Sequence, residues 1–414
     1  MGSRLGVLLK TYSGWEIYYN HSAAQTVGLD IAIDGMEATY ERVRRMSPMG
    51  VDNPHAWTGA TWIEGTLLID ETRKLVVWAE ESEALYMPRL INYLVEHTWP
   101  GWTAAWSAEG TRGTLRAAGV DPATIFTHRS DRLPCDRAPS LEPWDEWHGV
   151  DPITVRMADG TMVTWRAYGF LDDLTGCGPE NFLALAREVA SRLPDESDAW
   201  EQTTDDYVPT TGIFVDYQAR SLRWWSLQDR DMHLEDFDAL WPGWTLTSSS
   251  DDYSWHQELT GQVFRTWADD VNECRSWIAR AIEEGTRANP LASLANALSG
   301  QGHEISPYAS ALEFVPSNRH AAMETFDRLL NAVQDAPLKP ARIIDRHGTI
   351  TPPFEEERPD SRVGCKTGYV LSSSSRRCLG ASQLGVLPGH SPRWSAMTSR
   401  FASLRGQRPE PLGM

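Results

Sequence analysis

The sequence predicts an α+β protein built from two tandem homologous units, each an antiparallel sheet with helices on one face, plus a small third α/β element. Three observations predict it. Trp99-Pro100-Gly101-Trp102-Thr103 recurs 142 residues later as Trp241-Pro242-Gly243-Trp244-Thr245. Leu67-Leu68-Ile69-Asp70 matches Ile213-Phe214-Val215-Asp216, and each quartet leads through a polar turn to a second apolar run ending in Trp, Leu75 to Trp78 and Leu222 to Trp225. Further landmarks keep the same order, Gly35 with Gly178, Trp57 with Trp200 and Trp15 with Trp165, at offsets of 142 to 150. Landmarks repeated in the same order at nearly constant spacing are the signature of a duplicated structural unit.

Each unit reads β-β-α-β-β-α-β-α. In the second, Ile153–Met157 and Met162–Tyr168 flank Ala158-Asp159-Gly160, and Asp-Gly between strand-like runs signals a hairpin. Phe182, Leu185, Ala186, Val189 and Leu193 then recur at helical spacing; Met36, Tyr40, Val43 and Met46 are the counterpart in the first unit. Asp70 and Asp216 sit where a turn carboxylate can accept backbone N–H bonds. Met87, Leu90, Ile91, Leu94 and Val95 form an i, i+3, i+4, i+7, i+8 stripe, which Pro100-Gly101 stops. Trp102–Trp106 restart as a strand. A last helix is short in the first unit (Leu115–Ala118) and long in the second, with Phe264, Trp267, Val271, Cys274 and Ile278 on one face. Consecutive strands joined by tight turns imply antiparallel sheets. The expected organisation is a first unit over 1–125, a linker over 126–149, a second unit over 150–286, a helical and α/β extension over 287–357 and a basic disordered tail over 358–414. Within the extension, Leu312–Val315 and Ala341–Asp345 read as strands and Ala321–Val333 as a helix.

The charge is unevenly spread. The chain of 414 residues carries −19. From Ser361 onward eight bases (Arg362, Lys366, Arg376, Arg377, Arg393, Arg400, Arg405, Arg408) face the single acid Glu410, giving +7 and leaving −26 on residues 1–360. Such a body repels phosphate and disfavours nucleic-acid binding. No run approaches a membrane span, and Leu5–Leu9 is too short for a signal-peptide core. Five widely spaced cysteines without a CxxC pair indicate neither a disulfide framework nor a cysteine zinc site. A reduced, cytoplasmic protein is expected, with no cofactor, no metal and no membrane partner. Nucleotide, zinc-protease, serine-hydrolase and deaminase signatures are absent from the sequence.

Two copies in one chain separate architecture from function. Trp78/Trp225, Trp99/Trp241 and Trp102/Trp244 are present in both, and large rings flanking Pro-Gly serve first as packing anchors. Residues in one copy only are the functional candidates. Asn20 and His21 close the first hairpin, where the second unit reads Tyr168-Gly169-Phe170-Leu171-Asp172; His55 and His97 also lack counterparts. Histidine suits proton transfer near neutral pH, Asn20 is placed to orient it, and Glu64 or Glu109 is the carboxylate such a site would need. The commoner role of a strand-end histidine is capping or packing. In the second unit Asp198, Glu201, Asp205 and Asp206 surround Trp200. Acids interleaved with an aromatic anchor can steer and hold a basic protein, although an acidic run is more often a solvated face.

The Trp-Pro-Gly-Trp segment after an amphipathic helix, and the Asp-turned hairpin ending in Trp, resemble small uncharacterised Trp-rich proteins of high-GC actinobacteria. Some of these are suspected immunity or partner-binding proteins. The resemblance covers residues 60–125 and 210–265 and carries over no catalytic position. The resulting expectation is a non-enzymatic binding protein with an acidic, Trp-anchored face for a basic protein, of immunity type. The alternatives are a hydrolase or transferase using Asn20 and His21, and a scaffold whose units pair with each other.

Overall fold

A computed structural model describes residues 3–49, 52–80, 87–126, 151–167, 178–192, 208–227, 239–285, 290–303, 320–345 and 347–351. The linker beyond Phe126, the strand expected at Leu312–Val315, the basic tail and the whole acidic segment around Trp200 lie outside these residues.

The fold is α+β, with one sheet of eight strands and one of five among the described residues. The first unit supplies β1 (Leu5–Thr11), β2 (Gly14–Asn20), α1 (Val27–Arg44), β3 (Ser47–Pro48), β4 (Gly65–Asp70), β5 (Leu75–Ala79), α2 (Pro88–Thr98), β6 (Thr103–Trp106) and α3 (Gly110–Ala117). The second supplies β7 (Asp151–Arg156), β8 (Met162–Ala167), α4 (Gly178–Arg192), β9 (Thr211–Asp216), β10 (Ser221–Ser226), β11 (Thr245–Ser248), α5 (Ser254–Thr260) and α6 (Trp267–Gly285). Then come α7 (Pro290–Gly300), α8 (His320–Val333), β12 (Ile343–Ile344) and β13 (Ile350–Thr351). The strand orders β6-β5-β4-β1-β2 and β11-β10-β9-β7-β8 run in step through the two sheets.

The sheets are mixed, not antiparallel. The hairpins are antiparallel, but β1 lies parallel to β4, β5 to β6, β7 to β9 and β10 to β11. Helices α1 and α2 stand between the first unit's parallel partners in the chain. Such a crossover returns the backbone to the starting edge, so the next strand enters in the same direction. The first sheet is also covered on both faces. Val7, Leu9, Leu67, Ile69, Val76 and Trp78 face the core shared with α1 and α2. Leu8, Leu68, Leu75 and Val77 face Trp57 and Leu115 of α3 on the other side.

Register corrects the pairing of two landmarks. Asp70 opposes Leu75 and Asp216 opposes Ser221, so Trp78 corresponds to Trp224, not to Trp225. A one-residue slip puts a side chain on the opposite face: Trp224 joins the core against α4, while Trp225 packs with Tyr253 on the far side. Likewise Trp165 opposes Ile153 as Tyr18 opposes Val7, so Trp165 matches Tyr18 and His21 matches Tyr168, which lies outside the described residues.

Helix α1 starts nine residues before the Met36 stripe and breaks at Gly35 (φ 70°). Gly178 has the same left-handed φ of 71°. In both, a Cβ would lie 3.2 Å from the carbonyl oxygen preceding the first Trp of the repeated motif, Thr98 or Leu240. Left-handed backbone and close approach both favour glycine. The counterpart of α3 is the short α5: Ser107 N donates to Trp78 O (2.8 Å) and Ser249 N to Trp224 O (2.7 Å) just before each. The long α6 is additional. Its Val271, Cys274, Ile278 and Ile282 join the first unit's core together with Phe326, Leu329 and Leu330 of α8. Strand β12 extends the first sheet in parallel with β6, Ile343 opposing Trp106. Residues Met1–Glu356 thus form one compact unit.

A buried ion pair ties the halves together. Asp251 Oδ2 accepts from both the backbone N and Nε of Arg89 (3.0 Å each), and Oδ1 accepts from Ala341 N (2.8 Å). Asp251 is fully buried and Arg89 nearly so. Burial works against the Arg89 charge, but the Asp251 carboxylate outweighs it and raises the guanidinium pKa.

Candidate functional site

Helix α1 carries Met36, Glu37, Tyr40, Glu41, Arg44 and Arg45 along one stripe, because residues four apart share a face. The β1–β2 turn brings Tyr12, the β4–β5 turn brings Glu71 and Lys74, and Trp102 precedes β6. Together they line a groove of about 800 Å3.

Its parts are locked by local bonds. Asp70 is buried and accepts from Thr72 N (2.9 Å), Thr72 Oγ1 (2.6 Å) and Arg73 Nε (2.6 Å). Burial alone would raise its pKa; the Thr72 and Arg73 bonds outweigh that and hold it below the usual range. This fixes the turn that presents Glu71. The backbone N of Glu71 donates to Lys10 O (2.9 Å), and its carbonyl accepts from Tyr12 OH (3.2 Å). Tyr12 is 80% exposed despite that bond. Tyr40 lies near the Glu71 carboxylate, and its pKa is raised by burial first and by the Glu71 charge second. Arg44 lies over the Tyr40 ring (5.4 Å), and Arg45 pairs with Glu41 (3.6 Å). Trp102 packs edge-on against the buried Trp99 (5.4 Å) and is itself only partly buried.

The second unit closes the same position. Tyr217 follows Asp216 as Glu71 follows Asp70, and its N donates to Arg156 O at the same 2.9 Å. Its hydroxyl donates to Pro179 O (2.5 Å), and its ring meets Trp244 edge-on at 5.0 Å. Pro179 follows Gly178 as Met36 follows Gly35. A tyrosine of the chain therefore spans from turn to helix over Trp244, where the first unit has a groove beside Trp102. The sequence showed the substitution one position beyond the matched quartet, but only the register reveals that these two residues face equivalent tryptophans.

The residues singled out from sequence fall elsewhere. His21 is exposed, and its Nδ1 shares a hydrogen bond with Tyr19 OH (2.9 Å). Asn20 Oδ1 accepts from Ser22 N (2.9 Å), so it caps the turn and does not orient the imidazole. Glu64 is gripped by Arg4 through Nη2 and the backbone N (2.7 Å each). The Arg4 side-chain bond, working against burial, lowers its pKa. Glu109 is buried and paired with Arg116. His55 and His97 are exposed, and His97 Nδ1 bonds Tyr93 O (2.8 Å). Trp200, Asp198, Glu201, Asp205 and Asp206 lie outside the described residues. Trp78, Trp99, Trp225 and Trp241 are buried; Trp102 and Trp244 are half-buried.

Among the described residues, no group of three or more His, Cys, Asp or Glu is placed to hold a metal ion, and no helix is long and apolar enough to cross a membrane. Comparison with protein-family models, with characterised proteins and with solved structures finds no match.

Proposed function

We propose that this chain is a non-enzymatic binding protein that holds a basic protein partner on its acidic body, in the manner of an immunity-type inhibitor. The observation that carries this reading is the groove beside Trp102, lined by Tyr12, Tyr40 and three glutamates and closed off in the second unit by Tyr217. Binding anchors are typically aromatic side chains beside desolvated pockets, with charges around them steering the encounter. The groove itself is charge-balanced, with Glu37, Glu41 and Glu71 against Arg44, Arg45 and Lys74. The −26 of residues 1–360 supplies the long-range preference for a basic partner. A hydrolase or transferase working through Asn20 and His21 gains no comparable observation, since Asn20 is committed to the turn and the His21 hydrogen bond goes to Tyr19.

The test is affinity capture with the full chain at low and physiological salt, with the captured proteins identified by mass spectrometry. A basic protein should be retained by the wild type, more strongly at low salt. Recovery of no partner at either salt would sink the reading.

A further inference from the structure

We infer that the groove of the first unit seats an aromatic side chain, with a ring like that of tyrosine, presented by a basic segment of the partner protein. This rests on the binding reading above and names what enters the site. The second unit carries the template. There the ring of Tyr217 lies edge-on to Trp244, and its hydroxyl donates to the carbonyl of Pro179. Both groups have counterparts in the groove: Trp102 holds the place of Trp244 and the carbonyl of Met36 that of Pro179. Among the described residues no ring lies on Trp102 from the turn side as Tyr217 lies on Trp244; Trp102 meets Trp99, and Tyr40 reaches toward Glu71 from the helix. At the Cα position of Tyr217 the first unit has Glu71, whose charge acts on the nearby Tyr40.

The chemistry of the groove matches such an occupant. Met36, Tyr40 and Trp102 offer an apolar, polarizable wall, and edge-to-face ring pairs are favourable beyond the area they bury. Tyr12, exposed at the lip and tethered to the Glu71 carbonyl, is a second aromatic surface. Glu37, near the lip, is placed to meet a basic neighbour of the incoming ring, and the acidic body selects the same sign of charge. A purely aliphatic side chain would forgo the edge-to-face contact, and an acidic segment would be repelled by the body.

The experiment is a fluorescence-anisotropy titration of the full chain with two labelled peptides. One has a tyrosine between paired lysines, and the other has alanine in its place. The tyrosine peptide should bind about fivefold to tenfold more tightly, the range that one aromatic pair gives. Glu71→Tyr reproduces the second unit's closure and should bring the tyrosine peptide down to the level of the alanine one. Circular dichroism checks that this variant folds. Tyr12→Ala removes an exposed side chain together with its bond to the Glu71 carbonyl and should weaken the tyrosine peptide about twofold to threefold, which keeps the idea testable if Glu71→Tyr misfolds. Equal affinity for both peptides, or a preference that survives in folded Glu71→Tyr, overturns the inference. If a basic protein is captured while the two peptides bind equally, the occupant is wrong and the binding reading stands. If no partner is captured and neither peptide binds, both fail.

Discussion

On the side of each sheet that faces α1 and α2 or α4, the two units use nearly the same residues. Val7, Leu67, Ile69, Val76 and Trp78 in the first occupy the positions of Ile153, Ile213, Val215, Leu222 and Trp224 in the second. On the opposite side the match ends. Leu8, Leu68, Val77 and Ala79 stand where the second unit has Thr154, Phe214, Arg223 and Trp225. One face repeats a packing solution, and the other has changed chemistry. The change is compensated pairwise. Trp225 is opposed by Gly212, where a Cβ would come within 2.3 Å of Trp225 Nε1. Its smaller equivalent Ala79 is opposed by Thr66. Side-chain volume has moved across the strand pair while the space stays filled, as close packing demands.

The helix covering that face follows. In the first unit α3 is pinned by Thr114, whose hydroxyl hydrogen-bonds Thr66 (2.7 Å). In the second, His256 takes the place of Thr114. Its Nδ1 accepts from Trp225 Nε1 (3.1 Å), so the neutral ring carries its proton on Nε2 and donates to Thr154 Oγ1 (2.8 Å). Trp255 stacks on it at 5.1 Å, with Phe264 edge-on at 5.0 Å.

The seam joining the units bears on the comparison most strongly. Asp251→Ala would take from the buried Arg89 the carboxylate that pairs it, and losing one partner of a buried pair costs about 3–5 kcal/mol. Urea unfolding followed by tryptophan fluorescence should show a loss of that size. A loss below about 1 kcal/mol would mean that the shared core of α6 and α8, not this pair, holds the halves together.

The second expected effect sets the units apart by pH. Burial first, and the nearby Arg223 charge second, push the His256 pKa down to about 3. In the unfolded chain histidine titrates near about 6.5. Between these values the unfolded state binds a proton that the folded state refuses. Stability is therefore full above about pH 6.5 and falls as pH drops toward about 3, by up to about 1.4 kcal/mol per pH unit from this residue alone. His256→Asn removes the titrating group and should flatten that slope between about pH 6 and pH 4. A wild-type slope unchanged in the variant would place the acid sensitivity on other groups.

How far the sequence disclosed all this depends on the kind of signal. The Trp-Pro-Gly-Trp repeats, the Asp70 and Asp216 turns and the α2 stripe are local, and the structure places each on its expected element. Parallel pairing was hidden because it depends on where a crossover lands, which tight-turn chemistry does not encode. The exchange of Trp225 for Ala79 was hidden because Trp224 and Trp225 are adjacent, and only register decides which faces the helices. The apolar face of α6 was legible, but not that it packs on the first unit's core, because an amphipathic stripe does not name its partner. The candidate groove was not legible: Glu71 and Tyr217 stand one position beyond the matched quartets, and nothing local ties them to Trp102 and Trp244.

The smallest expected effect should be equal in the two units, and it tests whether the shared half of the comparison is real. Lys74 and Arg220 occupy the same turn position with φ of 49° and 50°. Their carbonyls accept from Thr103 N and Thr245 N, each at 2.9 Å, at the start of the parallel strand. Left-handed backbone costs a residue with a Cβ about 1–2 kcal/mol that glycine avoids, while glycine gives back part of that in unfolded-state freedom. Lys74→Gly and Arg220→Gly should each stabilise the chain by about 0.5–1 kcal/mol, by the same amount within error. The lysine substitution also removes a cation from the rim of the groove, so its effect on peptide binding should differ from that of the arginine one even where stability does not. Unequal stabilities would mean that the two turns, alike in backbone, are strained by different surroundings, and that the resemblance of the units stops at the strands.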